Sequence, residues 1–187
     1  MTDSELDLQL VQRNKAQSFV AVIGENVADA IVASRTGTGE AQFQVYAGGG
    51  PANTAVALGR LGTPTRFIGR LPESVLGSLF TERFENSNVD LSLSVRTKDP
   101  ATLAITSIDK EGIARYEFYL SGTADWQWQS HELDGPDINE AACIHTGSLA
   151  LIMEPGNVII EQILKAARLA ATISIDPNPE SAVNSQV

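Results

Sequence analysis

Three consecutive glycines, Gly48-Gly49-Gly50, run straight into Pro51-Ala52-Asn53 and an apolar stretch that closes at Gly62. That order of residues reads as strand end, tight turn and helix. Glycine carries no Cβ, so its backbone can take positive φ and come close to another segment or to a bound molecule. Proline suits the first helical position, where its missing N–H costs nothing, and Gly62 suits the residue just past a helix end. The spacing predicts a helix over Pro51–Leu61 with Asn53 in its first turn, its amide beside the unpaired N–H groups of the helix start. Such a turn can hold hydroxyls or an anion; equally, it can be a tight connection with no ligand. Two nucleotide loops are excluded. A P-loop ends in Gly-Lys-Ser/Thr, and the chain has no Gly-Lys pair. A dinucleotide fingerprint spaces its glycines G-x-G-x-x-G, which Gly48 to Asn53 does not.

The remaining pattern alternates strands and helices. Val20 to Ile23 is a continuous apolar run, as expected of a strand covered on both faces. Ile31 to Tyr46 holds Gly37, Gly39 and an alternating Phe43-x-Val45, which predicts a hairpin. Strand Thr65–Leu71 follows the glycine-headed helix, and a second helix runs through Phe84, with Leu76, Phe80 and Phe84 recurring every fourth position as a core stripe. Leu91-x-Leu93-x-Val95 alternates like a strand. Ala101–Ile108 and Ile113–Leu120, joined by Asp109-Lys110-Glu111-Gly112, predict a further hairpin. Strand Ala142–Thr146, a helix over about Asn157–Ala171 and strand Thr172–Ile175 complete the chain. The alternation implies an α/β fold with a doubly wound parallel sheet, whose ligands bind beyond the C-terminal ends of its strands. Asp29, the Gly49–Asn53 loop, Gly147 and Asp176 all follow such strands and are expected on one rim.

Composition narrows the partners. The 187 residues, 43% of them hydrophobic, suffice for one domain with a sizeable core. A net charge of −10 argues against nucleic acid and anionic membranes, which need a basic patch. No apolar window reaches the length of a membrane span, and the acidic N-terminus lacks a signal peptide's basic start, so a cytoplasmic protein is expected. Residues 1–17 are polar and read as a flexible N-terminal extension. Cys143, the single cysteine, sits in an apolar run as a buried thiol rather than a nucleophile. Two histidines and one cysteine make no structural zinc site, and His145, Trp126 and Trp128 read as packing residues.

The motif Gly48-Gly49-Gly50-Pro51-Ala52-Asn53-Thr54-Ala55 with Gly62 resembles the first signature of the PfkB (ribokinase-like) family of carbohydrate kinases, and its Gly-x-Pro-Ala-Asn form looks most like the fructokinase branch. Phe19 to Asp29 is similar to the family's first strand, whose closing Asp binds sugar hydroxyls. Ile173-Ser174-Ile175-Asp176-Pro177-Asn178 is similar to its Asp-x-Asn strand end. The resemblance runs from about Phe19 to Pro179. It implies a partial ribokinase-like domain over 18–187, truncated on its C-terminal side, with a small antiparallel β lid within about 31–46 and 91–120. It implies Asp29, Gly49, Gly50 and Asn53 as binders of a small neutral sugar, and Asp176 and Asn178 near a nucleotide and magnesium. ATP and Mg2+ are the cofactors expected of a complete enzyme, and a homodimer through the lid is a further expectation. Without the resemblance, Asp29 could cap a turn, Asn53 could be a helix-surface amide, and Asp176 with Asn178 could form an Asx-type turn.

Two departures stand out. Pro72-Glu73-Ser74 replaces the glycine on which the signature closes, and Pro179-Glu180 replaces the arginine that often follows Asp-x-Asn. The second signature, Gly-Ala-Gly-Asp, does not occur. Gly122-Thr123-Ala124-Asp125 looks like it but follows an aromatic strand and reads as a turn. No catalytic residue and no metal ligand is therefore assigned. The expectation is the N-terminal portion of an ATP-dependent, fructokinase-like sugar kinase, inactive as given. A non-catalytic sugar-binding or dimerisation module is the alternative, and a nucleoside kinase fragment a weaker one.

Overall fold

The computed structural model describes residues 18–35, 37–108, 113–133, 138 and 140–177. The expected extension over 1–17, the Asp109–Gly112 turn and Asn178 lie outside the described residues. A five-stranded parallel sheet forms the centre, built from β1 (Val20–Ile23), β4 (Thr65–Ile68), β6 (Val89–Asp90), β10 (Cys143–Gly147) and β11 (Thr172–Asp176). Its order is β11-β10-β1-β4-β6, with every pair parallel. The chain thus winds from β1 to one side and from β10 to the other. The switch falls between these two strands, which is where an open α/β sheet leaves a crevice beyond its strand ends.

Alternate side chains of the central strands serve two cores. Val22 and Phe67 face helices α1 (Gly50–Arg60) and α2 (Val75–Glu85), packing with Ala55, Val56, Phe80 and Phe84. The rings of Phe67 and Phe84 stack with centroids 4.3 Å apart. Ala21, Ile23, Ile68 and Ile144 face the other way, onto helix α3 (Gly156–Ala167) through Ile160 and Ala167, and onto Trp128. Period-two alternation with both faces buried is what the apolar strands predicted. Trp126 and Trp128 are both buried, in agreement with a packing role.

A second sheet stands off the central one. Strands β2 (Val27–Arg35) and β3 (Ala41–Gly48) form one antiparallel hairpin, and β8 (Thr102–Ile108) with β9 (Ala114–Tyr119) another, in the order β3-β2-β8-β9. Both hairpins match expectation. The pair joining them does not: β2 and β8 run parallel, so the lid is a mixed sheet.

Three other expectations need correction. The strand read as Thr65–Leu71 breaks at Gly69, beyond which β5 (Arg70–Pro72) pairs with β7 (Val95–Thr97) in a small sheet of its own. Val95 N–H donates to the Gly69 carbonyl at 2.9 Å, which pulls the chain away from the central sheet there. Of the alternating Leu91-x-Leu93-x-Val95 only Val95 lies in a strand, the start of β7. Asp90 Oδ1 accepts from Ser92 N at 2.8 Å and Ser94 N donates to the Leu91 carbonyl, so a local turn satisfies this backbone. The last helix ends at Ala167 rather than Ala171.

The departure Pro72-Glu73-Ser74 has a local explanation. Ser74 is the N-cap of α2, extended in backbone, and its hydroxyl accepts from Gly77 N at 3.2 Å. Ser74→Ala should cost about 1 kcal/mol, the usual worth of such a cap. Urea unfolding would check it, and an unchanged midpoint would deny the cap its role.

Candidate functional site

The site is assembled where β1 and β10 end. Gly24, with φ 155°, follows β1 and lies so close to Pro51 that a Cβ there would collide with the proline ring. Glu25 comes next and is 1% exposed. Its carboxylate accepts from Gly50 N at 3.3 Å and from Ala150 N at 3.1 Å, and from the Ser148 hydroxyl. One side chain thereby ties the head of α1 to the turn after β10. Burial is the main cause that pushes its pKa up to about 7, with Asp125 nearby adding to it and the donated hydrogen bonds opposing.

Gly49 is the N-cap of α1, with φ 101°. A Cβ on it would lie 2.7 Å from the Glu25 carbonyl oxygen, so only glycine fits this approach. Gly50 opens the helix, which places Pro51 second rather than first. Asn53 N donates to the Gly49 carbonyl at 2.9 Å as the first helical bond, and the side chain of Asn53 is exposed. Gly62, with φ 80°, follows the C-cap Leu61, as its place in the sequence predicted.

Asp29 is not at the close of the first strand. The chain leaves β1 at Ile23, turns through Gly24 to Asn26, and places Asp29 inside β2, opposite Tyr46 of β3 and Ala104 of β8. Its carboxylate lies over Gly48, and a Cβ there would displace it. Glycine at the end of β3 therefore leaves room for the acid. Asp29, Gly49, Gly50 and Asn53 line a single cleft of about 190 Å³, together with Glu25, Ser148 and the lid residues Tyr116 and Phe118. That volume is below the roughly 300–1,000 Å³ of common ligand pockets, so the cleft suits a small ligand. The rings of Tyr116 and Phe118 lie nearly parallel, 6.1 Å apart, as an aromatic flank to the polar floor. A larger groove of about 790 Å³ runs between Leu76 and Leu103, but it contains none of these four residues.

The other expected residues lie apart. Gly147 ends β10 beside Asp176, which is exposed at the end of β11 and does not line the cleft. His145 Nδ1 is 3.0 Å from Ser174 Oγ, and burial lowers its pKa while Asp176 opposes the shift. Cys143 is half-buried, and burial raises its pKa.

Three contributors escaped the sequence reading. Glu25 had a signal in retrospect, being an acidic residue directly after an apolar strand and its glycine. Arg83, on α2, had none: its Nη2 donates to Asn53 Oδ1 at 2.8 Å and its Nη1 to the Ala47 carbonyl at 2.6 Å. Asp125 sits in the Gly122–Asp125 segment read as a turn, and Gly122 does turn there with φ 67°. Yet the Asp125 carboxylate is 3% exposed, accepting from Asn26 N at 2.9 Å, from Asn26 Nδ2 at 2.7 Å and from Thr102 Oγ1 at 2.6 Å. It anchors the β1–β2 loop on which Glu25 sits. Burial pushes its pKa up to about 6.

Comparison with known proteins places this architecture. The profile of the pfkB family carbohydrate kinases matches residues 17–186. A fructokinase from Rhizobium leguminosarum bv. trifolii is 36% identical over 161 residues, which are 86% of this chain and 48% of that protein. Fructokinase-1 of Zea mays is 33% identical over 138 residues, 73% of this chain and 43% of that protein. Among solved structures, fructokinase from Xylella fastidiosa with bound ATP superposes with a TM-score of 0.80 at 25% identity, covering 87% of this chain and 52% of the other. The chain spans about half the length of the curated relatives it matches.

The buried Asp125 makes a pH prediction. The folded carboxyl, at about 6, holds its proton to higher pH than the unfolded one at its ordinary 3.8. Between these values the unfolded chain binds fewer protons, so this group makes stability fall as pH rises from about 4 to about 6. Asp125→Asn keeps an acceptor for Asn26 and offers Thr102 a donor, without the charge. At about 1.4 kcal/mol per pH unit, the variant should gain on the order of 2–3 kcal/mol relative to the parent between pH 4 and pH 8. Urea unfolding at both pH values measures this; an equal difference at each would show that the carboxyl does not titrate in that window.

Proposed function

The chain belongs to the pfkB family of carbohydrate kinases, and on that premise we propose that it forms the sugar-binding half of an ATP-dependent sugar kinase of the fructokinase type. The observation that carries this reading is the cleft in which Asp29 and Asn53 meet across Gly49 and Gly50. A neutral sugar is held by oriented hydrogen bonds. An ionised Asp29 can accept from two hydroxyls through charge-assisted bonds, Asn53 adds an amide, and Tyr116 and Phe118 cover the apolar side of the ring. The complete kinase would move the γ-phosphoryl of ATP to a primary hydroxyl of this sugar, working in the cytoplasm, where ATP is supplied.

Magnesium usually takes one or two carboxylates and fills its shell with water and substrate phosphates, and the described residues offer it no complete cage. Among them no group of three His, Cys, Asp or Glu could hold a metal ion, and Asp176 lies outside the cleft. Residues 1–187 also contain no Gly-Ala-Gly-Asp. Phosphoryl transfer rests on positioning and charge stabilisation; one general base is worth about 10²–10⁴-fold and one anion-hole donor about 10²–10³-fold. On this reading the 187 residues bind sugar without turning it over. The same observation favours a non-catalytic sugar-binding module as the second reading. The half-exposed Phe43 and Tyr46 and the exposed Ile108 on the lid favour its use in a homodimer.

Two measurements test the proposal. A coupled ADP-release assay with fructose, ribose and adenosine is expected to show no turnover, and clear turnover by pure protein would contradict the division of labour. Calorimetry with fructose should show binding weakened by about 1–3 kcal/mol in each of Asp29→Ala and Asn53→Ala. Unchanged affinity in both would leave Asp29 a strand residue and Asn53 a surface amide.

A further inference from the structure

Arg83 reaches from the last turn of α2 to both ends of the glycine hinge. It donates to the Ala47 carbonyl, just before the glycines, and to Asn53 Oδ1, just after them. Its guanidinium also feels the Asp29 carboxylate, although burial and the neighbouring Arg60 lower its pKa. A guanidinium has donors only. The atom of Asn53 that it holds at 2.8 Å can therefore be only the carbonyl oxygen. A side-chain amide is planar, so holding the oxygen on the helix α2 side leaves the NH₂ for the cleft that Asn53 lines.

We infer that Arg83 is a positioning residue that sets the hydrogen-bond polarity of the site: with the Asn53 carbonyl engaged, the ligand meets a donor at Asn53 and an acceptor at Asp29. The inference rests on the sugar reading above and narrows the ligand it takes. Such a site fits a polyhydroxy compound that presents a free hydroxyl hydrogen to Asp29 and an oxygen lone pair to Asn53. It disfavours a ligand with an N–H at the second position, because two donors would then face each other with no acceptor between them. Arg83 stands outside the glycine motif, 30 residues from Asn53 in the chain, so the motif alone does not determine which way its own amide points. The pair also joins α2 to α1 across the hinge, and a fork holding two acceptors in a fixed plane does this better than a point charge.

The test is a double-mutant cycle on fructose binding by calorimetry, with thermal melting on every variant. Arg83→Met should weaken binding about tenfold, Asn53→Ala at least as much, and the double variant no more than Asn53→Ala alone, because Arg83 acts through Asn53. Arg83→Lys keeps the charge near Asp29 without the fork and should bind as weakly as Arg83→Met. Asn53→Asp leaves Arg83 untouched, forms an ion pair with it, and replaces the donor by an acceptor; it should melt no lower than the parent yet bind at least tenfold more weakly. This variant keeps the inference testable if Arg83→Met does not fold. Additive losses in the cycle, full binding by Arg83→Lys, or parental affinity in Asn53→Asp would each overturn the inference while fructose binding by the parent stands. A parent that binds no fructose, ribose or adenosine would overturn the sugar reading and this inference with it.

Discussion

Glu25 collects amide N–H groups from two walls of the cleft, Gly50 at the head of α1 and Ala150 in the turn after β10. These walls belong to opposite halves of the doubly wound sheet and meet where its winding reverses. A carboxylate with 1% exposure is tolerated there because the donors it faces are backbone groups that a helix start and a tight turn leave without partners. The raised pKa, about 7, shows that the compensation is incomplete. The close approach of Gly49 to the Glu25 carbonyl is the steric counterpart of the same contact, and no residue with a Cβ satisfies it.

From this clasp the rest of the site follows in layers. Asp125 fixes Asn26 through two hydrogen bonds and so fixes the loop that carries Glu25. Asn26 leads into β2, which delivers Asp29, and β3 returns to Gly48, whose missing side chain gives the Asp29 carboxylate its place. Arg83 closes the circuit by holding Ala47 and Asn53 on either side of the glycines. Buried polar groups are costly unless satisfied, and a connected set of them specifies one arrangement more sharply than apolar packing does. The apolar cores on the two faces of the sheet carry the stability; the carboxylates and their donors set the geometry.

Periodicity made the scaffold legible. A continuous apolar run marked β1, the four-residue recurrence of Leu76, Phe80 and Phe84 marked α2, and Gly62 marked the end of α1, because each signal arises from local backbone chemistry. Where long-range pairing decided, local pattern misled. Leu91 to Ser94 alternates like a strand but turns on itself, with Ser94 N donating to the Leu91 carbonyl, and Thr65–Leu71 divides because Gly69 turns to meet Val95. Of the site, Asp29, Gly49, Gly50 and Asn53 were singled out by their resemblance to the family's first strand and first signature, and they line one cleft. Glu25, Asp125 and Arg83 were not, since their meaning lies in contacts 25 to 125 residues away in sequence.

The central claim is that the cleft between Asp29 and Asn53 holds a small neutral sugar on a rigid glycine hinge. A crystal structure of the chain grown with fructose tests it most directly. The account predicts sugar density in that cleft, with hydroxyls at the Asp29 carboxylate, an oxygen at Asn53 Nδ2, and the Glu25 contacts to Gly50 and Ala150 unchanged. Fructose ordered elsewhere, with this cleft holding only water, would contradict it.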